Sequence, residues 1–148
     1  MITIKVITSV LLVMIVSFSS QAKSTLERVF HCEYKNQTVD FFMSNDLALY
    51  IHKKDGVTDF SYPNGVGGSL ALFKLSALPT IGGADVKMSF KNGNYVYVIY
   101  DITRNNMGEY EFDSGFYVVS NGHEGIKKSC ENEGATIKKK DISYGMVR

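Results

Sequence analysis

Tryptophan is absent from this chain, cysteine and proline occur only twice each, and the charges nearly cancel. Lysine and arginine number 16 and the acidic residues 15, which gives a formal net charge of +1. Because a protein that binds nucleic acid needs a basic excess, this balance argues against a nucleic-acid partner. After the N-terminal residues no second long apolar run follows, so we expect the remainder to be soluble and free of membrane spans.

The one long apolar run lies at the N-terminus. Lys5 precedes the run Val6–Val16, and small residues precede a cut expected after Ala22. A cation, a short apolar core and small residues are the three parts of a secretory signal, and the run is shorter than the ~20 residues of a membrane span. We therefore expect residues 1–22 to be a signal peptide, with a retained anchor as the alternative. Residues 23–148 would form one periplasmic or secreted domain of about zero net charge.

The two cysteines, Cys32 and Cys130, both belong to the part expected to be exported. An even pair in an oxidising compartment is most simply one disulfide, which here would join the first strand to the last. The alternative of free or metal-bound thiols lacks a second ligand at suitable spacing. The three histidines, His31, His52 and His123, are scattered, so we expect neither a metal nor another cofactor.

The stretch Val86–Asp101 is the clearest structural signal. Two runs of alternating residues flank Asn92-Gly93, a pair that tolerates the positive φ angles of a tight hairpin turn. With these two as the loop residues, Phe90 faces Tyr95, and one face of the hairpin is wholly apolar or aromatic. The sequence therefore predicts a β-hairpin at the centre of the fold.

Further alternating runs, bounded by turn residues, predict more strands. They are Leu26–Tyr34, Val39–Met43, Leu47–Lys53, Val57–Tyr62 and Tyr110–Ser120. Across the turn that follows Met43, we expect Phe41 near Tyr50 and Phe42 near Leu49. The apolar stretch Leu70–Leu78 fits either a strand or helical turns.

We expect a polar loop at Thr103–Gly108, a bulge or bend at Gly115, and loose attachment of the residues after Cys130. The turn at Asn121-Gly122 leaves its register open. The commonest architecture with these signals is all-β: one antiparallel barrel or sandwich of about eight strands, closed by the disulfide.

No stretch has the residue pattern of a catalytic site. Ser69 follows Gly67-Gly68, which matches neither a nucleophile elbow nor a phosphate-binding loop, and no base is evident. We therefore expect a non-enzyme. The nine tyrosines suit a protein interface and equally suit an ordinary barrel.

Two segments are candidates for binding a partner. The Gly-rich loop Tyr62–Ser69 offers Tyr62, Asn64, Gly67, Gly68 and Ser69, with a plain connector as the alternative interpretation. The second candidate is a set of alternating acids that would share one face of a strand, namely Glu109, Glu111 and Asp113. They form either a solvated face or a docking patch for a basic partner.

The layout resembles a known family. A first strand ending in Phe30-His-Cys32, apolar strands near Phe41 and Leu47, a Gly-Ser loop and a closing cysteine are similar to the small periplasmic β-barrel inhibitors of c-type lysozymes. The same features resemble secreted immunity proteins that neutralise peptidoglycan hydrolases. In the inhibitors a Ser-Gly-rich loop plugs the lysozyme cleft. The matching piece here is Gly67-Gly68-Ser69, although the family's fuller Ser-Gly-x-x-Tyr pattern is absent.

The resemblance implies an exported, non-enzymatic protein that binds and inhibits a peptidoglycan hydrolase. Two alternatives remain: a barrel that binds a small apolar ligand in its interior, and a surface or adhesion module. The second would need no fixed enzyme partner. The sequence also leaves a homodimer open.

Overall fold

The computed structural model describes residues 25–132 and residue 137. The expected signal peptide and its cut after Ala22 lie outside the described residues. Where the chain is described, no helix is long and apolar enough to cross a membrane. All regular structure there is β-strand apart from one short 3-10 turn.

The first sheet is built from consecutive hairpins. Its strands are β1 (Glu27–Tyr34), β2 (Gln37–Met43), β3 (Leu47–Lys54), β4 (Val57–Tyr62) and β5 (Gly68–Ser69). All pairings are antiparallel, in the order β1-β2-β3, and β4 and β5 both pair with the far side of β3. The expected partners Phe41–Tyr50 and Phe42–Leu49 are confirmed.

The second sheet is also antiparallel. A 3-10 turn (Leu70–Leu72) leads into β6 (Phe73–Thr80), β7 (Gly83–Asn92), β8 (Tyr95–Asn106), β9 (Glu109–Ser120), β10 (His123–Glu124) and β11 (Lys128–Ser129). The order is β10-β9-β8-β7-β6, and β11 pairs with β9 beyond β10. The stretch Leu70–Leu78 therefore combines both of its possible structures, one helical turn and then a strand.

The central hairpin is confirmed, but its predicted loop is wrong by one residue. Asn92 pairs with Tyr95 and Phe90 with Tyr97, so the two loop residues are Gly93 and Asn94. Gly93 has φ +60°, the conformation that a first loop position needs and that glycine adopts without strain. Since the partners shift by two residues, the same side chains keep the same face, and the apolar face is as expected.

Two further expectations on the second sheet are wrong. Thr103–Gly108 is not a polar loop, because β8 continues to Asn106 and only two residues make the turn to β9. Gly115 does not mark a bulge, since β8 and β9 pair without a register shift. A Cβ at Gly115 would collide with the carbonyl of Lys128 and lie 2.7 Å from the Tyr100 hydroxyl. Glycine is needed there because the Tyr100 ring and the backbone of the paired strand β11 leave no room for a side chain.

The two sheets share one core. On β2 the alternate residues Val39, Phe41 and Met43 are buried, as the period of two requires. Four rings from β4, β7 and β8 lie nearly parallel in one stack, in the order Phe60, Tyr97, Phe90 and Tyr62. Neighbouring centroids in this stack are 4.4–5.0 Å apart. This aromatic ladder ties the edge of the first sheet to the middle of the second.

The predicted disulfide is confirmed, and Cys32 and Cys130 link β1 to the segment after β11. The expectation of a loosely attached C-terminal end is wrong for the part that is described. The N–H of Glu131 donates to the Glu33 carbonyl at 2.7 Å, and Ile137 is buried in the core. The reason is that the disulfide holds this segment beside the edge of β1, whose backbone offers hydrogen-bond partners.

The fold class expected from the sequence is confirmed as all-β, with antiparallel sheets and one disulfide. Eight of the described strands have six or more residues, and three have only two. They form two sheets, and the described strands do not close into a single barrel.

Candidate functional site

The Gly-rich segment interrupts an edge strand. β4 ends at Tyr62, opposite Tyr50, and β5 begins at Gly68, opposite Ala48. Tyr50 and Ala48 are only two residues apart on β3, so a regular strand would need one residue between Tyr62 and Gly68. Residues 63–67 occupy that place instead. We call residues 63–67 the edge loop.

Both ends of the edge loop are held in place. Inside it the N–H of Val66 donates to the Asn64 carbonyl at 3.0 Å. Gly67 has φ +84°, and a Cβ there would lie 3.3 Å from the Ala48 carbonyl oxygen. A Cβ on Gly68 would collide with the ring of Pro63, so this glycine lets the loop fold back on its own start. Asn64, Gly65 and Val66 are left exposed at the outer end.

Two of the predicted binding residues have structural contacts of their own. The Tyr62 ring stacks on Phe90 at 4.4 Å and meets Phe73 edge-on at 5.7 Å, so it is part of the aromatic ladder. The Ser69 hydroxyl accepts the N–H of Ala71 at 3.3 Å and caps the 3-10 turn. Of the five residues predicted in this segment, Asn64 is the most available to a partner.

The predicted acidic residues lie on β9, in the second sheet. Glu109, Glu111 and Asp113 are exposed and alternate, so they share one face of the strand. Asn106 donates to Glu111 at 3.3 Å, and the Tyr100 hydroxyl donates to Asp113 at 3.4 Å. Burial, followed by the field of Asp113, raises the pKa of Tyr100, although a bond to Ser129 opposes this.

The structure does not bring the two predicted segments together. The edge loop lies before the first residue of β6. The acidic residues of β9 lie level with the other end of β6, as the register across β7 and β8 shows. Eight residues of strand span about 25 Å. The two segments are therefore separate surfaces.

A charged cluster on the outer face of the first sheet was missed by the sequence reasoning. Asp40 is only 3% exposed and accepts from His31 at 2.7 Å and from Arg28 at 3.3 Å, with the Lys53 ammonium 3.8 Å away. The other ring nitrogen of His31 lies 3.0 Å from Glu33. The only signal in the sequence was an aspartate inside the apolar run V-D-F-F. Because Arg28 and Lys53 face Asp40 with the opposite charge and His31 bonds to it, the cluster stabilises the pairing of β1, β2 and β3.

A second histidine lies at one end of the shared core. His52 Nδ1 is 2.6 Å from Asp59, and its Nε2 is 3.3 Å from the amide oxygen of Gln37, which also accepts from Lys128 at 2.7 Å. Desolvation alone would raise the pKa of Asp59, but the hydrogen bond and charge of His52 outweigh it and lower that pKa. Both ring nitrogens are occupied, so the pair is best explained as a structural contact. Across residues 25–132 and 137, no group of three His, Cys, Asp or Glu is arranged to hold a metal ion.

Exposed apolar side chains at the far end of the second sheet were also missed. They are Leu78, Ile81, Met107, Tyr110 and Phe112. Their signal was present in the sequence, because Tyr110 and Phe112 alternate with the three acids in E-Y-E-F-D. Only the acids were singled out there.

Comparison with protein-family models, with curated proteins and with solved structures finds nothing that matches this chain. What the protein does must therefore follow from its geometry and its residues.

Proposed function

We propose that this chain is an exported, non-enzymatic protein that binds and inhibits a peptidoglycan hydrolase, with the edge loop as the part that enters the enzyme's cleft. In this proposal the two packed sheets form a β-sandwich that acts as a rigid support. The supporting observation is an exposed loop end whose two flanks are already fixed. Val66, at that end, is 84% exposed.

The fixed flanks matter because binding is weakened by every group that must be ordered on association, at roughly 0.5–1.5 kcal/mol for each immobilised side chain. Tyr62 is already stacked in the core, and Gly68 is already paired with Ala48. The loop backbone therefore presents Asn64 and Val66 with little ordering left to do. An exposed valine adds apolar area that a cleft could bury.

The compartment is consistent with this function. A disulfide such as Cys32–Cys130 persists in oxidising, extracytoplasmic surroundings, which is where cell-wall hydrolases act. The resemblance in layout to inhibitors of c-type lysozymes points to the same target class. The alternative of an apolar ligand in the interior is less well supported, because the described side chains between the sheets are mostly large and pack on one another, as the aromatic ladder does.

The test is an inhibition assay with the exported chain and a set of purified peptidoglycan hydrolases that includes c-type lysozymes. Lysis of a cell-wall suspension is followed with wild type, Asn64→Ala and Val66→Asp. Val57→Asp is the matched control, since Val57 is also exposed and lies on the same edge of the first sheet.

We expect wild type and the control to inhibit one hydrolase equally and Val66→Asp to inhibit it at least tenfold more weakly, because a charge would be buried in the cleft. If no hydrolase is inhibited by wild type, the proposed function is wrong. If the loop variants inhibit as well as wild type, the edge loop is not the contact.

A further inference from the structure

Beyond the shared core, four paired strands of the second sheet continue. We call this part, residues 78–85 and 102–113, the sheet tip. Its two hairpins are bonded to each other: the N–H of Asn105 donates to the Ile81 carbonyl at 2.9 Å, and the Thr80 hydroxyl donates to the Thr103 carbonyl at 2.9 Å. The tip is therefore one paired element, although its side chains are mostly exposed.

One face of the sheet tip is aromatic. Tyr110 and Phe112 are two residues apart on β9, so they lie on the same face, with ring centroids 6.2 Å apart. Phe112 is 75% exposed, and its cross-strand partner is the small residue Thr103, which does not cover it. Ile81 and Met107, in the two turns that end the tip, are also strongly exposed. Exposed apolar side chains gathered at one end of a sheet in this way mark an interaction surface.

The opposite face is acidic. The alternation of the strands places the exposed acids Glu109, Glu111 and Asp113 there, together with the partly buried Asp85 and its exposed neighbour Leu78. At the tip, two cations lie beside these acids: Arg104 is opposite Glu111, and the Lys87 ammonium is 3.5 Å from Asp85. Four acids against two bases leave an excess of negative charge, which favours a positively charged partner and disfavours a negative one.

We propose that the sheet tip is a docking site for a protein whose contact surface is a cleft with one apolar wall and one wall rich in lysine and arginine. The two faces of one sheet point in opposite directions, so a partner that contacts both faces must enclose the tip between the two walls of its cleft. A sheet with its side chains is ~10 Å thick, which sets the width of that cleft. This surface is separate from the edge loop and does not depend on it.

The chemistry can be tested before the partner is known. The probe is a synthetic peptide of alternating lysine and leucine, which presents a basic and an apolar side when extended. Two control peptides replace leucine by serine or lysine by glutamate. Binding to the full ¹⁵N-labelled exported chain is followed by NMR, and circular dichroism verifies the fold of each variant.

The variants separate the two faces of the tip. Phe112→Ser removes an exposed ring, and Ile126→Ser is its control, because Ile126 is equally exposed but lies outside the tip. The double variant Glu109→Gln/Glu111→Gln removes charge, and Glu27→Gln is its control on the first sheet. All of these positions are exposed, so none of the substitutions should impair folding.

We expect the lysine–leucine peptide to shift signals within residues 78–85 and 102–113. Phe112→Ser and the double variant should each weaken binding at least tenfold, and both controls should stay within twofold of wild type. Added salt should weaken binding to wild type more than to the double variant. The two control peptides should bind far more weakly.

Three results would overturn the proposal. The first is a peptide response outside the tip, or no response, and the second is equal binding of the lysine–serine peptide. The third is a wild-type dimer in sedimentation that Phe112→Ser converts to a monomer, which would make the tip a contact between two copies. Val66→Asp should leave peptide binding unchanged, so failure of the inhibitor function and failure of this proposal are distinguishable.

Discussion

Phe90 is the residue on which the contact between the two sheets most depends. It is 5% exposed and lies at the centre of the aromatic ladder, stacked on Tyr62 at 4.4 Å and on Tyr97 at 5.0 Å. It also meets Tyr50 at 4.9 Å and Phe73 at 5.3 Å. Truncation to alanine removes all four contacts and leaves a cavity, and buried Phe→Ala changes cost about 3–5 kcal/mol. Since aromatic pairs add roughly 0.5–1.5 kcal/mol each, we expect Phe90→Ala to destabilise by about 4 kcal/mol or more.

The measurement is urea unfolding with the disulfide intact. A domain is stable by only about 5–15 kcal/mol, so the midpoint of Phe90→Ala should fall by a large fraction while the slope stays that of wild type. Phe112→Ala makes the same chemical change at an exposed ring and should cost less than about 0.5 kcal/mol. A loss below about 1 kcal/mol for Phe90→Ala, or equal losses for the two variants, would refute the assignment of Phe90 to the centre of the core.

The remaining predictions concern the turns, the disulfide and the tyrosines. Gly93→Val should destabilise by more than about 1 kcal/mol because a β-branched residue resists φ +60°, and an unchanged unfolding midpoint would contradict the observed turn. Gly115→Ala should lower stability by about 1–3 kcal/mol through overpacking and speed amide exchange in β11, and unchanged exchange would mean that β11 does not lie close beside that position. Mass measurement after alkylation without reductant should show no modified cysteine, and reduction should cost on the order of 4–5 kcal/mol; two alkylated thiols would disprove the Cys32–Cys130 bond. Burial raises the pKa of four tyrosines above the ordinary value of 10.0, so the stability they contribute is full below pH 10.0 and is lost as the pH rises through their folded-state pKa values. These tyrosines are Tyr50, Tyr97, Tyr100 and Tyr117. An absorbance titration in which all tyrosines ionised together near pH 10.0, without unfolding, would contradict their burial.

Local sequence was enough to predict the strands and most of the turns between them. Alternation with a period of two depends only on neighbouring residues, and it predicted the Phe41–Tyr50 pairing correctly. The central hairpin was also predictable, together with its apolar face, because a shift of two residues leaves every side chain on the same side. The disulfide followed from the presence of only two cysteines.

The candidate site was only partly accessible from the sequence. A Gly-rich break between strands can be recognised locally, and so can a run of alternating acids. That Tyr62 packs against the core could not be predicted, because its stacking partner Phe90 belongs to the other sheet. The alternation of Tyr110 and Phe112 with the acids is visible in the sequence, but their exposure is not, since an aromatic residue in a strand is normally taken to face a core.

By itself, then, the sequence determined the strand period, most of the turns, the faces of the central hairpin and the cysteine pairing, all of which follow from short-range geometry or from counting. Tertiary structure decided the rest. Residues 103–106 are polar but extended because β9 continues to pair with them. Gly115 is a glycine because the Tyr100 ring and the carbonyl of Lys128 on the neighbouring strand occupy the space of a side chain. The second sheet extends beyond the first. Phe90 is buried because the first sheet covers it, whereas Phe112 lies beyond that cover and is exposed to solvent. Whether an apolar side chain on an alternating strand belongs to the core or to a surface depends on what the other sheet covers, and residues distant in sequence decide that.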